Sequence, residues 1–314
     1  MKATVSIIIP TFRRPIAALA AVRSALAQDT PTGFEIVVVD NDPAGSALQE
    51  MHKLAAIAEH PVKIVHEPRA GVANARNAGL AAANGEFIAF LDDDEVAQDR
   101  WLGELLRVQA ATKADVVFGP VNTRLVYRPK SHREYFEDFF ARDPDHREGL
   151  IHTYYGCGCS LIRRAALPND QPFSPTRNEI GGEDDLLFQF MHARGRSFAF
   201  APTAYVWETP EPSRVTLAYT LKRAFAYGQG PATKAWSGRR RKYGAIAFWM
   251  VIGLFQALFF GVAGLVCFLV RAKRRAFVYR RFVEGLGKLL WFPPIKPRFY
   301  GEARLPKEMR TATA

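Results

Sequence analysis

Carboxylates gather at three points in this chain. Asp92-Asp93-Asp94 follows an apolar run, Asp40-Asn41-Asp42 follows another, and Gly181-Gly182-Glu183-Asp184-Asp185 precedes a helical pattern. Three adjacent carboxylates repel one another unless a cation lies among them. In an extended segment Asp92 and Asp94, two residues apart, address one site. Hard divalent cations such as Mg²⁺ or Mn²⁺ take such oxygen ligands, and phosphate oxygens complete the shell. The same run also fits a solvated loop whose Asp caps the next helix. Asp40 reads either as a carboxylate that accepts from a base or ribose, or as the start of an Asx turn. Acidic residues 183–185 suit a helix N-terminus by charge alone. The paired glycines before them suggest close backbone approach, and a carboxylate there could act as general base for an acceptor hydroxyl. Arg76, in Asn74-Ala75-Arg76-Asn77-Ala78-Gly79, is a helix-surface residue or a cation turned toward a pyrophosphate.

These residues need elements to hold them. Val5–Ile9, Phe34–Val39, Val62–His66 and Phe87–Leu91 read as strands. Helical patterns over Ile16–Ala27, Ala44–Ala58 and Val72–Ala83 separate them. This alternation predicts an α/β fold with a mostly parallel sheet covered on both faces, whose ligands bind beyond the carboxyl ends of the strands. Further on, Val116–Gly119, Gly158–Ile162, Phe198–Phe200 and Ala204–Glu208 read as strands, and Glu183–Ala193 and Ser213–Tyr227 as helices. Lys130–His152, polar and aromatic, is expected to form a helix or mobile loop over the cleft. Cys157 and Cys159 would share one face of a strand as free buried thiols.

The net charge of +11 over 314 residues is uneven: residues 237–314 hold 16 Lys+Arg against 3 Asp+Glu. A basic tail suits nucleic acid or an anionic membrane. Hydropathy favours the membrane, because Ala245–Val270 is apolar apart from Gln256 and is bracketed by Arg239–Lys242 and Arg271–Arg275. A nucleic-acid partner is excluded on that pattern. The expected division is a catalytic domain over 1–236 and a basic membrane-association region over 237–314. Both flanks are basic, so a bent, re-entrant course is expected for 245–270, with the bend at Gly253, Gly261 and Gly264. Residues 278–290 would lie along the membrane surface. No signal peptide precedes the first strand, which puts the catalytic domain on the cytoplasmic side of the inner membrane.

Five short segments, in order, resemble the family 2 glycosyltransferases. They are Ser6-Ile7-Ile8-Ile9-Pro10-Thr11, Val38-Val39-Asp40-Asn41, Ala75-Arg76-Asn77-Ala78-Gly79, Phe90-Leu91-Asp92-Asp93-Asp94-Glu95 and Gly182-Glu183-Asp184. A narrower likeness, through Phe90–Glu95, Gly119-Pro120-Val121, Gly181–Asp184 and the Arg223–Gln229 region, is to the glucosyltransferases of succinoglycan-type exopolysaccharide assembly. The resemblance implies the GT-A fold and an inverting, metal-dependent transfer from a UDP-sugar. UDP-glucose is the implied donor, and a polyprenyl-diphosphate-linked glycan the implied acceptor. It implies that Asp40 contacts the base, uracil, and that Asp92 and Asp94 form the Asp-x-Asp pair, with Asp94 on the metal. Asp184 would be the base, with Glu183 beside it. Arg76 would lie near the diphosphate, and Thr11 and Asp93 belong to the nucleotide-sugar site.

Two departures follow. Trp207 stands where many relatives carry a His near the end of a late strand, so either water would complete the metal shell or the metal would bind weakly. No Gln-x-x-Arg-Trp motif is found, and one apolar segment is too few for a polymer channel, so a single sugar is moved per encounter. Two alternatives stand beside this reading. A sugar nucleotidyltransferase would need a glycine-rich phosphate loop where Thr11-Phe12-Arg13-Arg14 stands. A non-catalytic membrane scaffold is opposed by the retained Asp92, Asp94 and Asp184.

Overall fold

The structure, a computed structural model, describes residues 4–144, 147–178, 181–237, 241–297 and 299. The described residues form two compact units, one from 4–123 and 141–209, the other from 124–140 and 210–297.

The first unit is built on an eight-stranded sheet. Strands β1 (Val5–Thr11), β2 (Phe34–Asp40), β3 (Val62–His66), β4 (Phe87–Phe90), β6 (Val116–Phe118), β8 (Gly149–Ile151), β9 (Ser160–Arg163) and β10 (Phe198–Phe200) lie in the order β3-β2-β1-β4-β9-β6-β10-β8. β1 pairs in parallel with both β2 and β4. β9 runs antiparallel between β4 and β6, and β8 antiparallel on β10. Apolar side chains alternate between the two faces, as the pleat requires. Val5, Ile7 and Ile9 join α1 (Pro15–Leu26) and α4 (Trp101–Thr112) in one core half. Ile8, Val37 and Val39 join α3 (Val72–Ala82) and α6 (Glu183–Ala193) in the other. Helix α3 sits close on the sheet because Gly79 has no Cβ; one would lie 2.5 Å from Ile8 Cγ2.

A second sheet of three short strands has the order β5 (Glu95–Ala97), β11 (Val206–Glu208), β7 (Val121–Thr123). Trp207 lies in its middle strand, opposite Val96 and Asn122. The α/β fold with its mostly parallel sheet is therefore as the sequence implies.

Three readings are corrected. Lys130–His152 divides between α5 (Arg133–Phe140), in the second unit, and β8 in the first. Cys157 and Cys159 are buried and free but lie in opposite core halves. Cys159 has a positive φ of 54°, which breaks the alternation ahead of β9. The third concerns the second unit, where 245–269 lies within one helix, α8 (Tyr243–Leu269), with Val270 at its C-cap, rather than bending.

The second unit holds α5, α7 (Leu217–Ser237), α8 and α9 (Arg275–Leu289), beginning upstream of position 237. Helix α9 returns antiparallel along α8: Gly253 meets Gly285 and Lys288, Gly261 meets Phe282, and Gly264 meets Tyr279. On its other side α9 touches α7, where a Cβ on Gly228 would lie 2.2 Å from Glu284 O and one on Gly287 2.1 Å from Phe225 O. The glycines thus allow contact between helices instead of a bend. Residues 239 and 240 of the upstream basic run lie outside the described residues.

Candidate active site

The carboxyl ends of β1, β2 and β4 lie side by side, with Thr11 in register with Asp40 and Ile8 with Phe90. The strand order reverses at β1, which is where open α/β sheets form their ligand crevice. Leu91 then Asp92, Asp93 and Asp94 follow β4 directly.

Asp93 closes the crevice between β1 and β4. It accepts from Thr11 Oγ1 at 2.9 Å and pairs with Arg14 at 3.0 Å. Arg14 also reaches Asp94 at 2.9 Å, so one guanidinium holds two of the three carboxylates. Burial pushes the Asp93 carboxyl up to about 6, with Asp94 adding to the rise and Arg14 opposing it.

Asp92 turns the other way. It pairs with Arg76 of α3 at 3.2 Å and remains 37% open to solvent. Its backbone N–H donates to Glu95 Oε2 at 3.0 Å. Burial, then the charge of Asp92, push the Glu95 carboxyl well up. Gly158 leaves the space beside both groups: a Cβ there would lie 2.7 Å from Glu95 Oε1 and 2.8 Å from Asp92 Oδ2. Arg142 braces that loop by donating to the carbonyls of Gly156 and Gly158.

The acidic start of α6 meets the same cluster. Gly181 and Gly182 carry φ of 78° and 80°, values that favour glycine, and they aim the first turn of α6 at α3. Glu183 is buried against Arg76 as an ion pair. Burial and the adjacent Asp184 push the Glu183 carboxyl up to about 7, against the pull of Arg76. Asp184 keeps its side chain 21% exposed, 3.9 Å from Arg76. It accepts from the Cys157 N–H at 3.0 Å and the Asp185 N–H at 2.8 Å.

Arg76 therefore gathers Asp92, Glu183 and Asp184 around one buried guanidinium, which also lies 5.9 Å from the Phe90 ring centroid and 5.7 Å from that of Phe173. Asp40 stands apart and is fully buried. Its carboxylate accepts from the amides of Asp42, at 3.0 Å, and Ala47, at 2.7 Å, and so braces the loop after β2. Asp42 in turn pairs with Arg13 at 3.2 Å.

Among the described residues no three His, Cys, Asp or Glu side chains converge on an ion position. Mg²⁺ is commonly held by one or two carboxylates plus substrate phosphates, so the oxygen donors of Asp92 and Asp94 fit such an ion. The gap that a Cβ at Gly158 would fill opens on Asp92. The sequence pattern assigns no role to Arg14, Glu95 or Arg142. The available signal for Arg14 was a pair of arginines directly after a core strand.

The model of "Glycosyl transferase family 2" matches residues 6–169. The succinoglycan biosynthesis protein ExoM of Rhizobium meliloti (strain 1021) is 33% identical over 279 residues, covering 88% of each chain. The UDP-Glc:alpha-D-GlcNAc-diphosphoundecaprenol beta-1,3-glucosyltransferase WfgD of Escherichia coli is 33% identical over 106 residues, 33% of this chain and 39% of WfgD. Residues 1-349 of S. aureus TarS in complex with UDP share the fold, with a TM-score of 0.54 at 17% identity, covering 91% of this chain and 89% of that one. The family model spans half of the sequence and the likeness to ExoM nearly all of it, so the chain belongs to glycosyl transferase family 2.

Proposed function

We propose that this glycosyltransferase moves one sugar from a UDP-sugar, with inversion at the anomeric carbon, onto a hydroxyl of a lipid-linked glycan at the cytoplasmic face of a membrane. One observation carries the proposal. Arg76 ties Asp92, at the end of β4, to Glu183 and Asp184, at the start of α6, so donor-side and acceptor-side carboxylates share one support. The names of ExoM and WfgD support an exopolysaccharide or lipid-linked product, and the UDP complex of TarS supports a uridine nucleotide.

In this reading the base of the nucleotide lies against the loop braced by Asp40, and the diphosphate lies by Thr11, Arg14, Asp93 and Asp94. Asp94 and Asp92 would hold a divalent cation, Mg²⁺ or Mn²⁺, which when bound neutralises charge on the leaving diphosphate. Asp184, more exposed than Glu183, takes the proton of the acceptor hydroxyl. The hydroxyl oxygen then forms the new bond to the anomeric carbon from the face opposite the diphosphate. The old carbon–oxygen bond breaks and UDP leaves with its electron pair. Glu183 and Arg76 are positioning residues: they are buried and fix the first turn of α6.

The proposal is tested with radiolabelled UDP-glucose, UDP-galactose and UDP-N-acetylglucosamine, each offered with a polyprenyl-diphosphate-linked glycan. Label passing to the lipid phase from one donor is expected, UDP-glucose first. No transfer and no UDP release from any donor would overturn it. A lipid-linked acceptor should also be preferred over the same oligosaccharide free in solution.

A further inference from the structure

Helix α8 is long and apolar enough to cross a membrane by length and composition. Its 27 residues extend about 40 Å, against about 30 Å of hydrocarbon. Its surroundings in the second unit point elsewhere. The exposed apolar face of α8 is wide: Phe248, Phe255, Phe259, Val262, Val266 and Leu269 are each 53–70% exposed, and Leu258, Leu265 and Phe268 beside them 60–62%. The opposite stripe is Ile246, Gly253, Ala257 and Gly264, all buried. Three of these lie on the side that faces α9.

Helix α9 is not a membrane helix. It carries Arg280, Arg281, Glu284 and Lys288 along the length that contacts α8. Gln256, the midpoint of α8, donates to Arg281 O at 2.7 Å and accepts from Lys288 Nζ at 2.8 Å. A perpendicular α8 would therefore carry Arg281, Glu284 and Lys288 to the centre of the bilayer, the costliest place for charge. Laid flat, α8 puts its apolar stripe into the acyl chains and keeps α9 on the water side. Both basic ends, Arg241-Lys242 and Arg271–Arg275, then sit at one depth, beside lipid phosphates. The frustration of two positive flanks on a single crossing disappears.

From this geometry we infer that α8 lies in the plane of one leaflet of an anionic bilayer and does not cross it, with α9 as its charged backing. The inference deepens the membrane association proposed above and names its mode.

The test uses the full chain with Cys267→Ser, which leaves only the buried Cys157 and Cys159. Single cysteines are placed at the two exposed ends of α8, Lys242→Cys and Lys273→Cys, and treated with a membrane-impermeant maleimide. Both should label in inside-out vesicles and neither in intact spheroplasts. One end labelling in each preparation would overturn the inference. So would recovery of the protein from the soluble fraction as a dimer, with a second copy on the stripe. Nitroxides at positions 248, 259 and 269 give a second reading. A single depth is expected, whereas a deep centre between shallow ends means a span. Binding to phosphatidylcholine vesicles should rise at least about tenfold when phosphatidylglycerol is added, and fall again in high salt. None of these measurements uses a sugar donor or acceptor, so they and the transfer assay can fail separately.

Discussion

Arg76 of α3 and Glu183 at the first position of α6 form a buried ion pair across 107 residues of sequence. It is the link through which the α6 acids meet the β4 acids. Desolvating two charges is unfavourable, and such a pair persists only with further partners. Arg76 has them in Asp92 and Asp184.

Removing one side of that pair should be costly. Arg76→Met is expected to lower stability by about 3–5 kcal/mol, because it leaves Glu183 buried without its cation. Glu183→Gln should cost less in the Arg76→Met background than in the native chain, with a coupling above about 1 kcal/mol. Urea unfolding of the four proteins of the cycle measures this. Additive effects would mean that the two side chains do not stabilise one another.

The raised carboxyl of Glu183 predicts a pH dependence. Its value of about 7 lies above the ordinary 4.5, so the folded state binds the proton more tightly than the unfolded chain. The associated stability is full below about pH 4.5 and is lost as pH rises through about 7, to a total of about 3 kcal/mol. Glu183→Gln removes this contribution. The fall in melting temperature from pH 5 to pH 8 should therefore be smaller in the variant, and equal slopes would count against it.

Gly158→Ala puts a methyl group where Glu95 and Asp92 now lie within 3 Å. The carboxylates must shift, and misplacement of this order costs about 10²-fold in rate. Turnover should drop by about that factor while circular dichroism is unchanged. Full activity would show that Asp92 tolerates displacement.

Asp184→Asn should abolish transfer and leave UDP-sugar binding nearly intact, since the proposed base acts on the acceptor. Isothermal titration with donor, beside a transfer assay, separates the two. Unchanged turnover would assign the base elsewhere.

Asp94→Asn should remove most activity without unfolding the chain, because Arg14 keeps Asp93 as a partner. Activity of the native enzyme should depend on Mg²⁺ or Mn²⁺. Full turnover in excess EDTA would reject the cation.

Much of the fold was legible because its central strands β1 and β2 are apolar on both faces and its helices and strands alternate. Val62–His66, Glu183–Ala193 and Phe198–Phe200 are found at the residues read from pattern. Helix α4 was missed, although Trp101, Leu102, Leu105 and Val108 carry its buried face. Strands β5 (Glu95-Val96-Ala97), β7 (Val121-Asn122-Thr123) and β8 (Gly149-Leu150-Ile151) lack a run of large apolar residues like that of β10, and pairing with β11 or β10 defines them. The acids of the site were visible as local runs. Arg14 was not, because its partners lie 79 and 80 residues away. The glycines of α8 suggested a bend because glycine is a poor helix former. Their actual use is the close approach of α9, which only a second helix can reveal.

That approach bears on where the chain can be cut. Gly285 of α9 rests on α8, and Gly287, two residues on, rests on α7. Helix α9 thus packs on both α7 and α8, which also meet each other through Ala232, Ala235 and Ile246. A truncation before Arg275 would not give a milder form of one before Tyr243. It would keep the apolar α8, strip its polar backing, and leave the glycine faces of both α7 and α8 bare. The shorter deletion should be the more aggregation-prone of the two, and a soluble catalytic fragment is better sought by removing α7, α8 and α9 together.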